Sequence, residues 1–224
     1  MRRRESPAPS HPAAALIRPI QVLIGRDPKP RERERFAVYL RLLAEWNRTH
    51  RLTAIRSAEA IVADLFVDSL LFLSALPSDP IKLADLGTGP GIPGVPLRIV
   101  REDISLTLVE SKRKRVSFLA ALKRELELTN VSVLEGRAEE LVEERPELVG
   151  AFDVVVARAV GSSILPVAMN YLRPGGLFLA GGPPGGGGFR EDLETFKKLD
   201  LHPQTKAFDQ LGLERTFLVS RKAS

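Results

Sequence analysis

The sequence predicts an α/β fold: a mostly parallel sheet of seven strands with helices on both faces, preceded by a small helical cap. Three observations predict it. Beyond the break "PSDP" (Pro77–Pro80), apolar runs of strand length alternate with helical stretches, as in a parallel sheet covered on both sides. A glycine-dense loop joins the first of these runs to the first of these helices. The last two runs have no convincing helix between them, which predicts a hairpin adding an antiparallel strand at one end of the sheet. With 224 residues, 44% of them hydrophobic, the chain suits one domain of ordinary size with a small appendage. Residues 1–80 are read as a basic tail and helical cap, and residues 81–224 as the sheet domain.

The first ten or so residues, "MRRRESPAPS", are basic and proline-interrupted and are expected to be disordered. The apolar stretch after them is broken by Arg18 and Pro19 and does not make a signal peptide. From Arg31 to Trp46, the residues Phe36, Tyr39, Leu40, Leu43 and Trp46 recur at intervals of three and four, which makes one apolar helix face. A second helix is expected from about Ser57 to Leu76, where Ile61, Leu65, Asp68 and Phe72 share a line, apolar but for one acid. The strands then follow: "IKLADLG", "ISLTLVE", "NVSVLEG", "FDVVVARAV" and "GGLFLAGG". Between them "VPLRIVR", "SKRKRVSFLAALKRELEL", "AEELVEE" and "SSILPVAMNYL" read as helices. "FREDLETFKKL" is a further expected helix, and "LHPQTKAF" and "RTFLVSRK" are the closing strands. "GGPPGGGG" (Gly181–Gly188) cannot pack as regular structure and reads as a connector or as a mobile loop over the site.

The absence of cysteine excludes a disulfide framework, a cysteine zinc site and a thiol nucleophile, and it fits a cytoplasmic protein. A net charge of +5 suits either a polyanionic partner or plain solubility. No apolar run approaches the roughly 20 residues of a membrane span, so no membrane partner is expected.

The stretch "KLADLGTGPGIPGVPLRIV" (Lys82–Val100) carries the chemistry. Gly89, Gly91 and Gly94 satisfy G-x-G-x-x-G, a weak match alone, and a tight turn without a ligand has the same signature. Gly87 begins the cluster, and Asp85 lies two positions before it. A carboxylate at the strand's end sits awkwardly beside a pyrophosphate but suits a ligand with an amino group and a sulfonium, which is S-adenosylmethionine. Glu110 ends the next strand, roughly 20 residues on, where a carboxylate can accept hydrogen bonds from ribose hydroxyls. It can equally serve as a favourable charge at the start of the following helix. Ala138 and Glu139, in "GRAEEL", fall where a third loop could line an adenine, although Glu139 also reads as an ordinary first-turn carboxylate.

The acceptor follows from what is missing. There is no Asn/Asp-Pro-Pro-aromatic motif for an exocyclic amine, no thiol for a pyrimidine carbon and no histidine–carboxylate cluster for a hydroxyl, nor is a metal expected. Guanine N7, with its exposed lone pair, needs mainly in-line positioning. Arg158, at the end of the fourth strand, can bond guanine O6 or a phosphate, or can form a structural ion pair.

These residues resemble the bacterial small-subunit ribosomal RNA guanine-N7 methyltransferases, the glucose-inhibited-division-B family. The resemblance rests on "WNRTHRLTAI" (Trp46–Ile55), "DSL" (Asp68–Leu70), "DLGTGPGIPGVPL" (Asp85–Leu97), "LVESKRKRVSFL" (Leu108–Leu119), "GRAEEL" (Gly136–Leu141) and "ARAV" (Ala157–Val160). It implies a Rossmann-like methyltransferase sheet with a helical N-terminal cap and transfer of a methyl group from S-adenosylmethionine to guanine N7 of 16S ribosomal RNA; a monomer is the separate expectation. It also implies cofactor contacts by Gly87, Ile92, Ala138, Glu139 and Arg158. Three positions depart from the family pattern: Arg51 stands for the usual Asn, Leu65 for a His and Gly181 for a Lys. Two other readings share the motifs: a methyltransferase acting on another RNA or a small molecule, and an RNA-binding relative without catalysis.

Overall fold

Seven strands form a single sheet in the order β3-β2-β1-β4-β5-β7-β6. They are β1 (Lys82–Leu86), β2 (Ser105–Glu110), β3 (Val131–Glu135), β4 (Phe152–Arg158), β5 (Leu172–Gly181), β6 (His202–Phe208) and β7 (Leu213–Arg221). The computed structural model describes residues 12–158, 164–182, 198 and 202–223. The basic tail, most of Gly181–Gly188 and all but Lys198 of the expected helix "FREDLETFKKL" lie outside the described residues. Strands β1 to β5 pair in parallel, and β7 pairs antiparallel with both β5 and β6. The closing hairpin is as expected, but its antiparallel member is one place in from the edge. β7 docks on β5 and carries β6 outside it, the two joined by a short 3-10 turn (Asp209–Leu211) and Gly212.

The helices are α1 (Ile17–Ile24), α2 (Pro30–His50), α3 (Ala58–Ala60), α4 (Asp68–Leu70), α5 (Gly94–Val100), α6 (Arg113–Glu125), α7 (Ala138–Glu144) and α8 (Ile164–Tyr171). α3 and α4 are parts of the second expected helix. Between them Ile61–Val67 is wound wider as a π-helix, and Leu71–Ala75 continues tighter as a 3-10 helix. α1 was not expected. Pro19 is its third residue, where the backbone N–H has no helical partner to lose, so the proline does not break it.

Period-two alternation decides which face each strand residue serves. Leu83, Leu106, Leu108, Val154, Val156, Leu177, Leu179 and Phe217 point into one core, shared with α1, α2, the 58–75 segment, α5 and α6. Ala84, Leu86, Val109, Val155, Ala157, Phe178 and Leu218 form a second core with α7 and α8. The helical cap therefore has no core of its own and packs into the larger of the two. The same alternation puts Asp85, Glu110, Arg158 and Arg215 on the cap side of the sheet. Among the described residues no helix is long and apolar enough to cross a membrane.

Candidate active site

A cavity of about 540 Å³ opens at the carboxyl ends of β1, β2 and β4. This is where the strand order reverses between β1 and β4, the usual crevice of an open parallel sheet. Gly87, Thr88, Gly89, Pro90 and Ile92 line it from the loop after β1. Glu110, Ser111, Lys112 and Arg115 line it from β2 and α6, and Arg158 from β4. The cap closes it with Leu52, Thr53, Ala54 and Leu65.

The loop after β1 needs its glycines. Gly87 and Gly89 have φ of 70° and 61°, which other residues adopt with strain. A Cβ on Gly89 would meet only Arg115 Nη1, at 3.9 Å, so this position faces open space. Gly91 serves a different end. Its φ is 99°, and a Cβ there would lie 2.8 Å from Val95 and 2.9 Å from the Tyr39 hydroxyl. It lets α2 approach the loop, and Tyr39 Oη then donates to the Pro90 carbonyl at 2.6 Å.

Asp85 is completely buried and lies outside the cavity lining. Its Oδ2 accepts from Thr88 Oγ1 at 2.6 Å and from the Gly94 N–H at 2.8 Å, pinning both ends of the loop. Its Oδ1 has no hydrogen-bond partner among the described residues. Burial pushes its pKa up to about 7, although the Thr88 and Gly94 hydrogen bonds pull it back.

Glu110 reaches the cavity from the end of β2. Its Oε2 accepts from the Gly89 N–H at 2.9 Å and faces Arg115 Nη1 at 3.4 Å, while its Oε1 accepts from the Lys112 N–H at 2.9 Å. The two sequence readings of this residue are compatible: it caps the start of α6 and fixes the glycine loop. A carboxylate accepts about four hydrogen bonds, so acceptor capacity remains.

Arg158 Nε pairs with Asp68 Oδ2 at 3.1 Å, and its Nη2 donates to the Asp64 carbonyl at 2.6 Å. Arg215 Nη2 reaches the same Asp68 oxygen, at 3.2 Å, and also donates to the Gly182 carbonyl. Burial holds the Asp68 pKa above the ordinary carboxylate value, and the two guanidiniums offset only part of that rise. Gly181 makes room for this arrangement, because a Cβ would lie 2.6 Å from Phe72 and 2.9 Å from Arg215.

The structure brings Gly87, Gly89, Ile92, Glu110 and Arg158 into one cavity. Gly91 and Asp85 shape the loop from behind. Ala138 and Glu139 are the first two residues of α7, outside the lining. There the Ala138 carbonyl accepts from Tyr171 Oη at 2.8 Å, and Glu139 pairs with Arg137 on the surface. Sequence reasoning did not place Thr88, Arg115 or the Leu52–Ala54 segment at the site. Arg115 had a signal, since it stands in a run of consecutive cations just after the second strand. The Leu52–Ala54 segment reaches the site only by long-range packing.

Comparison with known proteins adds the family. A solved structure described as a SAM dependent methyltransferase from Aquifex aeolicus superposes with a TM-score of 0.54 at 12% identity, over 72% of this chain and 92% of that one. The precorrin-6y C5,15-methyltransferase of Geobacter metallireducens gives 0.53 at 13% identity, over 69% and 87%. At these identities the likeness is one of fold. Sequence relatives are nearer. The ribosomal RNA small subunit methyltransferase G of Xanthomonas oryzae pv. oryzae is 46% identical over 144 residues, 63% of this chain and 65% of the relative. The protein of that name from Lachnoclostridium phytofermentans is 38% identical over 177 residues, 76% of this chain and 70% of the relative. The chain thus spans slightly under two thirds of the Xanthomonas protein it matches. The model of one family, described as rRNA small subunit methyltransferase G, matches residues 32–181, from the first turn of α2 to the last residue of β5 and through every strand that edges the cavity, and the chain belongs to that family.

Proposed function

We propose that this protein transfers a methyl group from S-adenosylmethionine to N7 of a guanine in 16S ribosomal RNA. One observation carries the reading: the glycine loop, Glu110 and Arg158 edge a single cavity, and the family model spans all three. The residues fit the cofactor. The cavity lies within the few hundred Å³ usual for such ligands. Gly89 offers a backbone without a side chain in the way, and Glu110 keeps acceptor capacity for ribose hydroxyls. Ala138 and Glu139 are assigned the adenine edge. The turn that leads into α7 abuts the end of β2, where the Gly136 N–H donates to the Glu110 carbonyl at 3.1 Å. Asp85 acts by holding the loop rather than by touching the ligand.

When bound, the cofactor supplies an electrophilic methyl group. The protein's own task is orientation, because guanine N7 needs no deprotonation. Arg158 is the residue for it. Asp68 and the Asp64 carbonyl hold its Nε and Nη2, and its Nη1 makes no hydrogen bond among the described residues. A guanidinium fixed on two sides is a pre-positioned donor for guanine O6 or a neighbouring phosphate.

The test is incubation with labelled adenosylmethionine and unmodified small ribosomal subunits, followed by borohydride reduction and aniline cleavage, which cut RNA at N7-methylguanine. Arg158→Ala should lower kcat at least about tenfold while cofactor affinity changes little. Label on a pyrimidine, an exocyclic amine or a ribose overturns the N7 assignment.

A further inference from the structure

The chain beside Arg158 is wound in a way that leaves one carbonyl for it. Ile61–Val67 is π-helical, a winding that recurs at functional sites, and Leu65 within it lines the cavity. In an α-helix the Asp64 carbonyl would accept the Asp68 N–H, four residues on. Here the Asp68 N–H turns to the Ala63 and Leu65 carbonyls on either side. The Asp64 carbonyl accepts from Arg158 Nη2 instead, at 2.6 Å. A charged donor thus replaces the N–H, and charge-assisted hydrogen bonds are the stronger kind.

The same slip sets the second contact. A wider turn advances less along its axis than the about 1.5 Å per residue of an α-helix, which draws Asp64 and Asp68 together. Asp68 Oδ2 then meets Nε of the same guanidinium at 3.1 Å. Two acceptors from one short segment hold two edges of one planar group. The Asp68 carboxylate is itself held from the other side, by Arg215 Nη2 at 3.2 Å.

Ser69 secures the slipped register. It is completely buried and lies outside the cavity lining, and its hydroxyl donates to the Leu65 carbonyl four residues back. That carbonyl therefore takes both the Asp68 N–H and the Ser69 hydroxyl. Back-bonding of this kind competes with the regular ladder and bends a helix. Burial of Ile61, Leu65 and Phe66 accounts for the apolar face of the segment but not for the transfer of the Asp64 carbonyl to Arg158.

Resting on the reading of Arg158 as the residue that orients the guanine, we infer that the π-wound turn is the element that aims it. The slipped register frees the Asp64 carbonyl, and Ser69 is a positioning residue that keeps the register slipped.

Deletion of Ala63 tests this. Ala63 is exposed, and loss of one residue from the wide turn lets the segment rewind at about 3.6 residues per turn with Ile61 and Val62 still facing the core. The Asp68 N–H then recovers the Asp64 carbonyl. In isotope-labelled protein the Nε–H resonance of Arg158, identified by its loss in Arg158→Lys, should shift and exchange with water about tenfold faster. With unmodified small ribosomal subunits kcat should fall about tenfold, while KM and adenosylmethionine affinity change less than about twofold. Combined with Arg158→Ala, the deletion should lower kcat no further than Arg158→Ala alone. Ser69→Ala is the second variant and decides the matter if the deletion does not fold. The same resonance should exchange faster, and kcat should fall about fivefold. A folded variant that keeps both the resonance and kcat, whatever its melting temperature, makes the winding a packing device and overturns the inference. A loss of kcat that adds in full to that of Arg158→Ala overturns it as well. The resonance needs no reaction, so its loss in the variants of a protein that transfers no methyl group would count against the proposed reaction alone.

Discussion

Neighbouring residues of the glycine loop do different work, and substitution should show it. Gly91→Ala places a Cβ against Val95 and the Tyr39 hydroxyl at a φ of 99°, so it should destabilise the fold by roughly 2–3 kcal/mol in denaturant unfolding. Gly89→Val has open space on its cavity side. It should cost less stability but abolish adenosylmethionine binding in calorimetry. Asp85 predicts a pH dependence. Its carboxyl holds its proton up to about pH 7 in the folded protein, against the ordinary value of 3.8. Between those values the folded state binds the extra proton, so this group's contribution to stability is full below about pH 4 and is lost as the pH rises through 7. Asp85→Asn removes the dependence. The stability lost between about pH 5 and about pH 8 should shrink by roughly 3 kcal/mol, read from unfolding curves at the two pH values.

At the level of elements, α2 is the member that ties cap to site. Its apolar face, read from the spacing of Phe36, Tyr39, Leu40 and Leu43, is buried, and Tyr39 ends in the hydrogen bond to Pro90. Tyr39→Phe leaves that carbonyl without its partner and should cost about 1 kcal/mol of stability. Because Pro90 lines the cavity, cofactor affinity should fall as well, measurably by calorimetry. Strands β1 to β4 and helices α6 and α7 could be placed from pattern alone, because alternation and amphipathic spacing are local properties. The π-helical Ile61–Val67 could not. Its wider winding keeps Ile61, Leu65 and Phe66 buried together, a demand set by the sheet beneath. α1 was hidden by a proline whose position in the first turn makes it harmless.

At the scale of the molecule, Asp68 joins three parts of the chain. It sits in the cap and pairs with Arg158 of β4 and Arg215 of β7. The sequence offers Asp68 as the odd acid in an apolar line, but its partners lie 90 and 147 positions away, and no local pattern could name them. Asp68→Ala takes a shared carboxylate from two buried guanidiniums, which keep the Asp64 and Gly182 carbonyls, and should destabilise by about 3 kcal/mol, lowering the denaturant midpoint. The glycines and Glu110 are legible in the sequence because their spacing follows from one strand–loop–helix unit. The cap's wall of the cavity is not, because only tertiary packing brings it there. One of the sheet's two edge strands, β6, has a further consequence, for association between molecules. Among the described residues no strand pairs with its outer side, an edge that invites a second copy to extend the sheet, and Pro203 in that strand has no N–H to offer. His202, Gln204 and Thr205 keep its exposed surface polar. Pro203→Val restores the donor and supplies a β-branched side chain. Light scattering of concentrated solutions should then show more association than the parent protein does, which makes this proline a guard on one edge of the sheet.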